Sequence, residues 1–206
     1  MLVTAPLLPP FEAVVTKISD GDTIKVAIAN SVSEKVEVTV RFACIDTPER
    51  GQPGGTAATA HLKSVLPIGS VVQIVPTGSK DRYDRLPGFV IFNKMNVNLE
   101  QVAAGQAWVY IEYLGTCPQY ADILNEAQDA AQAKELGLWG FPNSCPPWQW
   151  RSNKCMPLPN CKPVPQVRAG AVFQFAIFAK NREVLAWDRW HGCTGYQLNT
   201  EQKWTR

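Results

Sequence analysis

The chain has 206 residues, enough to bury one substantial core or a core with a large appendage, and its 46% hydrophobic and 18% charged composition is that of an ordinary globular protein. No apolar run approaches the roughly 18 residues that a membrane span requires, which excludes a helical membrane-spanning protein. The net charge of +2 is unevenly spread: residues 1–140 hold 11 Lys/Arg against 15 Asp/Glu, and residues 141–206 hold 9 against 3. An acidic first part suits cation binding and a basic tail suits a polyanion, the bland alternative being solvated surface charge that happens to segregate.

The opening Met1 to Pro10 lacks the basic start and long apolar stretch of a signal peptide, and is compatible with what remains after one is removed or replaced. The six cysteines are Cys44, Cys117, Cys145, Cys155, Cys161 and Cys193, with no Cys-x-x-Cys pair and two histidines in the whole chain, so a zinc site is not expected. Four of the six fall in the last 62 residues, among prolines and tryptophans. That is how a segment with a thin core is stapled by disulfides, and the expected location is secreted or periplasmic.

In chain order, Phe11 to Ile18 and Ile24 to Ala29 read as strands around a turn at Asp20-Gly21-Asp22. Val36 to Ile45 alternates between faces and is expected to be one half-buried strand. Thr56 to Leu66 is alanine-rich and reads as a helix; Ser70 to Pro76 and Gly88 to Phe92 read as two more strands. Asn96 to Ala104 is a short helix stopped by Gly105, and Pro118 to Leu136 is a longer one stopped by Gly137. The expected fold is α+β with a mainly β core: a five-stranded OB barrel with three flanking helices, an architecture that commonly holds oligonucleotides. Beyond Phe141 the composition shifts to Pro, Cys and Trp. Residues 141–206 are expected to form a disulfide-stapled extension beside a domain at 11–140, with a β-hairpin from Ala171–Ala179 and Glu183–Trp187.

Chemistry concentrates at Val40-Arg41-Phe42-Ala43-Cys44-Ile45-Asp46-Thr47-Pro48-Glu49, with Asp20-Gly21-Asp22-Thr23 upstream and Asp81-Arg82-Tyr83-Asp84-Arg85 downstream. Asp22 and Asp46 offer hard oxygens to a divalent cation such as Ca²⁺, and the Thr47 carbonyl is a candidate further ligand. Glu49 is placed to accept a proton from water or orient it. Arg41, on the strand read as ending at Asp46, and Arg85, from another loop, are forked guanidiniums able to grip phosphate oxygens and to stabilise charge building on them. Taken singly, each aspartate is a common turn former and each arginine a common surface residue; the combination is what favours metal-assisted attack on a phosphodiester.

These ordered motifs, with Gly137-Leu138-Trp139 at the last helix exit, resemble the staphylococcal nuclease (thermonuclease) family over roughly residues 11–140, and look closer to its secreted bacterial and cyanobacterial members. The resemblance implies an OB-fold nuclease that uses Ca²⁺ to hydrolyse DNA and RNA, cutting the P–O5′ bond to leave 3′-phosphates. It makes Asp22, Asp46 and the Thr47 carbonyl metal ligands and Arg41, Glu49 and Arg85 catalytic. Asp20 matches a carboxylate just outside the metal shell, and Arg82, Tyr83 and Tyr113 match nucleotide-binding positions. Asp84 stands where the family usually has glycine, and Ile111 stands where it has a second tyrosine, with Tyr110 one position away.

Cys44, beneath the expected metal site, is read as a buried thiol or a disulfide partner of Cys117. The tail carries Trp148, Trp150, Trp187, Trp190 and Trp204, with Arg151, Arg189 and Lys203 beside them. Such interleaving can stack bases and neutralise phosphates, but packing as a cap on the barrel is the favoured reading. The substrate would be single-stranded or locally unpaired nucleic acid, the partner neither a membrane nor a second copy. The rival from another class is a non-catalytic OB module that binds nucleic acid or protein; a third reading makes the tail an adhesion or inhibitor-docking segment.

Overall fold

The fold is seen in a computed structural model that describes residues 8–28, 36–141 and 144–155, and the backbone of 29, 35, 161–162, 177–180, 183–186 and 197–198. Trp187, Trp190, Trp204, Arg189, Lys203, His191 and Cys193 lie outside the described residues.

Strand β1 (Phe11–Ile18) pairs antiparallel with β2 (Thr23–Ala29), which pairs with β3 (Lys35–Phe42). Alternation along β1 buries Ala13 and Val15 and would then bury Lys17. A register shift between Val15 and Lys17 inserts one residue, and Ile18 is buried in its place. After β4 (Ile45–Asp46) and helix α1 (Gly55–Val65), β5 (Val71–Pro76) pairs with β1, and β6 (Leu86–Phe92) pairs with β5. A parallel pairing of β3 with β6 closes the five long strands into the OB barrel expected from the sequence. Val15, Ile24, Val26, Val40, Phe42, Ile74, Phe89 and Val90 fill it, each essentially without solvent contact.

The short β7 (Met95–Asn96) returns along β6 and leads into α2 (Val97–Ala103), capped by Asn96 Oδ1 accepting from the Leu99 amide and ended by Gly105 at φ +66°. β8 (Trp108–Val109) pairs with β4. The helix expected from Pro118 begins as a 3-10 turn, Pro118–Tyr120, and is α-helical as α3 only over Ala121–Ala133. A one-turn helix, α4 (Pro147–Arg151), lies in the extension. Further on, β9 (Cys161–Lys162) pairs with β12 (Gln197–Leu198), and β10 (Ile177–Lys180) pairs antiparallel with β11 (Glu183–Ala186), where a hairpin was expected.

The expected single strand from Val36 to Ile45 is two strands. β3 stops at Phe42, and the chain turns through Ala43 and Cys44 before β4 starts in another sheet. Cys44 sits at φ +62°, a left-handed conformation uncommon outside glycine. Surrounding bonds hold it there: the Ala43 amide donates to the Gly88 carbonyl, the Tyr110 amide to the Cys44 carbonyl, and Cys44 is disulfide-bonded to Cys117. Arg41 and Asp46 therefore do not share a strand, and the turn folds one back towards the other.

Two wholly buried amides on α2 tie the loops together. Asn98 accepts from the Val90 amide and donates to the carbonyls of Ala43 and Gly88. Gln101 donates to the carbonyls of Gly21 and Ala58, and its oxygen meets His61 Nδ1 at 2.5 Å. Removing such a side chain strands buried backbone groups, each costing about 1–3 kcal/mol. Asn98→Ala is therefore expected to lower stability by about 2–4 kcal/mol in urea unfolding, and a loss below about 1 kcal/mol would contradict this account of the turn.

Candidate active site

Register places the first two members of the site. Thr23 of β2 lies opposite Arg41 of β3, and the Phe42 amide donates to the Asp22 carbonyl at 2.8 Å, so the β1–β2 turn is fixed beside the end of β3. The turn also packs against the segment after β4. A Cβ on Gly21 would lie 2.8 Å from Thr47 Oγ1 and 2.9 Å from the Ala58 Cβ, so that approach requires glycine. Across this contact Asp22 Oδ2 accepts from the Thr47 amide at 2.7 Å and the Thr47 hydroxyl at 2.8 Å, while Asp22 Oδ1 accepts from the Thr23 hydroxyl at 3.1 Å.

The charged side chains form an alternating chain. Arg41 bridges two carboxylates, with Nη1 2.8 Å from Asp22 Oδ2 and Nη2 2.6 Å from Asp46 Oδ1. Asp46 then meets a second guanidinium, Arg151 of α4, whose Nη2 lies 2.8 Å from Asp46 Oδ2. Arg151 Nη1 is 2.5 Å from Glu49 Oε1. The order Asp22, Arg41, Asp46, Arg151, Glu49 thus runs from the barrel outwards. The Asp46 side chain is 1% exposed and those of Arg151 and Glu49 are each 41% exposed. Burial raises the pKa of Asp46 against the opposing pull of Arg41 and Arg151; for the Arg151 guanidinium burial pulls downwards, and its bonds to Asp46 and Glu49 outweigh that and raise it.

Thr47 and Glu49 flank the buried Pro48, and Gln52 ties the Glu49 backbone to the extension: its Oε1 accepts from the Glu49 amide, and its Nε2 donates to the Cys145 carbonyl at 2.6 Å. The same segment of the extension is closed by the Cys145–Cys155 disulfide. Trp148 of α4 stacks on Tyr110 with ring centroids 5.1 Å apart and planes at 7°.

The remaining predicted residues form a second cluster. Asp81 Oδ1 accepts from the amides of Tyr83 and Arg85, and its Oδ2 accepts from Arg85 Nε and Nη2 at 2.8 and 2.7 Å. The guanidiniums of Arg82 and Arg85 lie 4.8 and 5.1 Å from the centroid of the exposed Tyr83 ring. Arg85 precedes Leu86, which lies opposite Val40 in the β3–β6 pairing, so the two clusters sit on adjacent strand ends. Asp84 has φ +59°, which explains how aspartate serves where glycine is usual; its carboxylate pairs with Lys80 at 2.8 Å, and Arg85 pairs with Asp81 instead. Tyr113 is half exposed, edge-on to Tyr110 at 4.8 Å, and Ile111 is exposed.

Among the described residues, no three His, Cys, Asp or Glu side chains are grouped to hold a metal ion by themselves. The oxygens available are those of two buried aspartates joined through Arg41 and backbone carbonyls beside them, a hard donor set that suits a dication completing its shell with solvent.

Asp20 lies behind this network, its Oδ1 accepting from the Asp22 amide at 3.1 Å. Burial, with the Asp22 charge second, raises it from 3.8 to about 6. The folded chain then holds this proton more tightly than the unfolded chain, so the contribution of Asp20 to stability falls as pH rises from about 4 to about 6 and is flat above that. Asp20→Asn, which keeps an oxygen acceptor, is expected in chelator to be about 1–2 kcal/mol more stable than the parent near pH 7.5, with the difference closing near pH 4. Thermal melts across that range check it, and a pH-independent difference would count against the burial of this charge.

A model of the staphylococcal nuclease homologue family matches residues 39–140. A Haemophilus influenzae protein named "Uncharacterized endonuclease" is 41% identical over 137 residues, covering 66% of this chain and 71% of that one. A protein of the same name from Escherichia coli O157:H7 is 37% identical over 141 residues, covering 68% and 84%. A Shigella flexneri protein named "Micrococcal nuclease" is 34% identical over 160 residues, covering 73% and 86%.

Proposed function

The chain belongs to the staphylococcal nuclease family, and from that premise we propose that this nuclease is Ca²⁺-dependent, hydrolyses DNA and RNA without regard to the sugar, and cuts the P–O5′ bond to leave 3′-phosphates. The observation that carries this reading is the convergence of Asp22, Arg41, Asp46 and Glu49 from three separate backbone segments into one bonded network. A binding module has no use for buried carboxylates that repel a polyanion.

In this reading Asp22, Asp46 and the Thr47 carbonyl hold the cation, which when bound polarises the phosphoryl group and offsets its charge. Thr47 positions Asp22 through two hydrogen bonds, leaving that carboxylate one orientation. Glu49 takes a proton from water as its oxygen attacks phosphorus, the P–O5′ bond breaks, and the departing 5′-oxygen is protonated from solvent. Arg41 and Arg85 turn from their carboxylates to the non-bridging oxygens, where charge grows in the transition state. Arg82, Tyr83 and Tyr113 present exposed guanidinium and ring surface to the nucleotide. Single strands are favoured because splayed bases can reach such surfaces.

Residues 11–140 form the catalytic domain in this proposal and 141–206 an extension attached to it, the whole acting as a monomer. Cys44–Cys117 and Cys145–Cys155 support a secreted or periplasmic location. Among the described residues no helix is long and apolar enough to cross a membrane.

The test is cleavage of single-stranded DNA and RNA oligonucleotides with Ca²⁺ and with chelator, followed by end-group analysis. Activity that is equal in both, or absent with Ca²⁺, would refute the metal dependence; 5′-phosphate products would refute the bond assignment. Glu49→Gln and Arg41→Ala are each expected to lower kcat by about 10²–10⁴-fold with the fold intact by circular dichroism.

A further inference from the structure

Arg151 lies outside residues 39–140, the span matched by the family model, yet it makes as many carboxylate contacts in the site as Arg41. Both guanidiniums bridge two acids, and they share Asp46. We propose that Arg151 is a third phosphate-gripping arginine of the active site, carried in from the extension to bind the scissile phosphodiester beside Glu49. The inference rests on the nuclease reading above and adds a substrate contact to it.

Three observations separate this from a merely structural ion pair. First, α4 is held without Arg151: the Cys145–Cys155 disulfide closes its segment, Trp148 stacks on Tyr110, and Gln52 donates to the Cys145 carbonyl. Of the two ion pairs of Arg151, the one with Glu49 is exposed at both ends and adds little stability to such an anchored helix. Second, those anchors converge on the site itself. Gln52 also accepts from the Glu49 amide, and Tyr110 follows β8, which pairs Trp108 with Asp46. The platform thus fixes where Arg151 starts relative to Glu49 and Asp46. Third, the guanidinium stands at the solvent edge, 41% exposed against 16% for Arg41, on the side from which a polyanion must approach.

Bonding to Asp46 and Glu49 holds the Arg151 guanidinium in place, and a phosphodiester offers paired oxygens to the same fork. Transfer of the guanidinium to the phosphate releases Glu49 to accept the proton of the attacking water. Arg85 reaches the phosphate from the separate cluster on the loop before β6, where its own carboxylate partner is Asp81.

The experiment compares full-length Arg151→Ala and Arg151→Lys with the parent on a single-stranded DNA oligonucleotide in Ca²⁺, with binding of the same oligonucleotide measured in chelator over a range of salt. Arg151→Ala is expected to lower kcat/KM by about 10²–10³-fold, kcat included, and Arg151→Lys to recover only part of it. In binding, the slope of log K against log salt should fall by about 0.7, one single-strand phosphate contact. Guanidinium ion added below denaturing concentration should raise the turnover of Arg151→Ala and leave Glu49→Gln unchanged. Turnover by Arg151→Ala within threefold of the parent, or faster, would overturn the proposal, the second marking Arg151 as a latch that blocks the site. Should Arg151→Ala fail to fold, Arg151→Lys decides alone: full turnover with an unchanged salt slope overturns the proposal, and impaired turnover supports it. An inactive parent would instead remove the nuclease reading on which the inference stands.

Discussion

Burying Asp22 and Asp46, at 5% and 1% exposure, is the demand around which this end of the barrel is organised. A carboxylate removed from water is costly unless paired and hydrogen-bonded, and replacing such an ion network by apolar side chains would often favour stability. The molecule answers the cost locally. Arg41 sits between the two acids, Thr47 gives Asp22 an amide and a hydroxyl, and Arg151 closes the far side of Asp46. A purely structural core has no reason to adopt this arrangement. A site of the kind proposed, with hard oxygens for a cation and guanidiniums for a phosphate, does, because each group would be stored against its opposite until a ligand of matching charge arrives.

That network requires backbone placements an unbroken strand cannot supply. If β3 ran on to Asp46, Arg41 and Asp46 would lie five residues apart along an extended chain, on opposite faces. The left-handed residue Cys44 breaks the strand, and the Cys117 disulfide, the Tyr110 amide and the Asn98 side chain hold the break. Gln101, one helical turn beyond Asn98, holds the Gly21 carbonyl of the opposite loop. A single short helix, α2, thereby clamps both the loop before Asp22 and the turn before Asp46, with bonds that water cannot compete for.

The five barrel strands and the three main helices were legible because their apolar periods are regular and glycine or proline punctuates most of their ends. Where the reading failed, the signal was missing for a physical reason. Positive φ is announced by glycine, and Cys44 and Asp84 adopt it without glycine, so the strand break was invisible and Asp84 registered only as a departure from the glycine usual there. Asn98 and Gln101 look like the polar face of a helix, because a buried amide is recognised only by the carbonyls it meets. The motif residues Asp22, Arg41, Asp46 and Glu49 were picked out by their clustering in sequence. Arg151 was noticed only as a cation beside tryptophans, since 105 residues separate it from Asp46 and no local pattern links them.

The closure of the barrel gives the two charged clusters different mechanical footing. Arg41 is anchored through β3, paired on both sides by β2 and β6, and its guanidinium is locked between two buried acids. Arg85 belongs to a tight loop organised by one side chain, Asp81, which accepts four hydrogen bonds from two residues of that loop. Arg151 is intermediate, a long side chain on a stapled one-turn helix. Rearranging Arg85 breaks partly exposed bonds that solvent replaces cheaply, and Arg151 gives up one exposed bond to Glu49 and one to the buried Asp46, whereas moving Arg41 leaves Asp22 buried with no cation and Asp46 with Arg151 alone. In the proposed mechanism, departure of Arg41 from its acids is therefore tied to the arrival of positive charge at them, which would couple metal and phosphate binding through that one side chain.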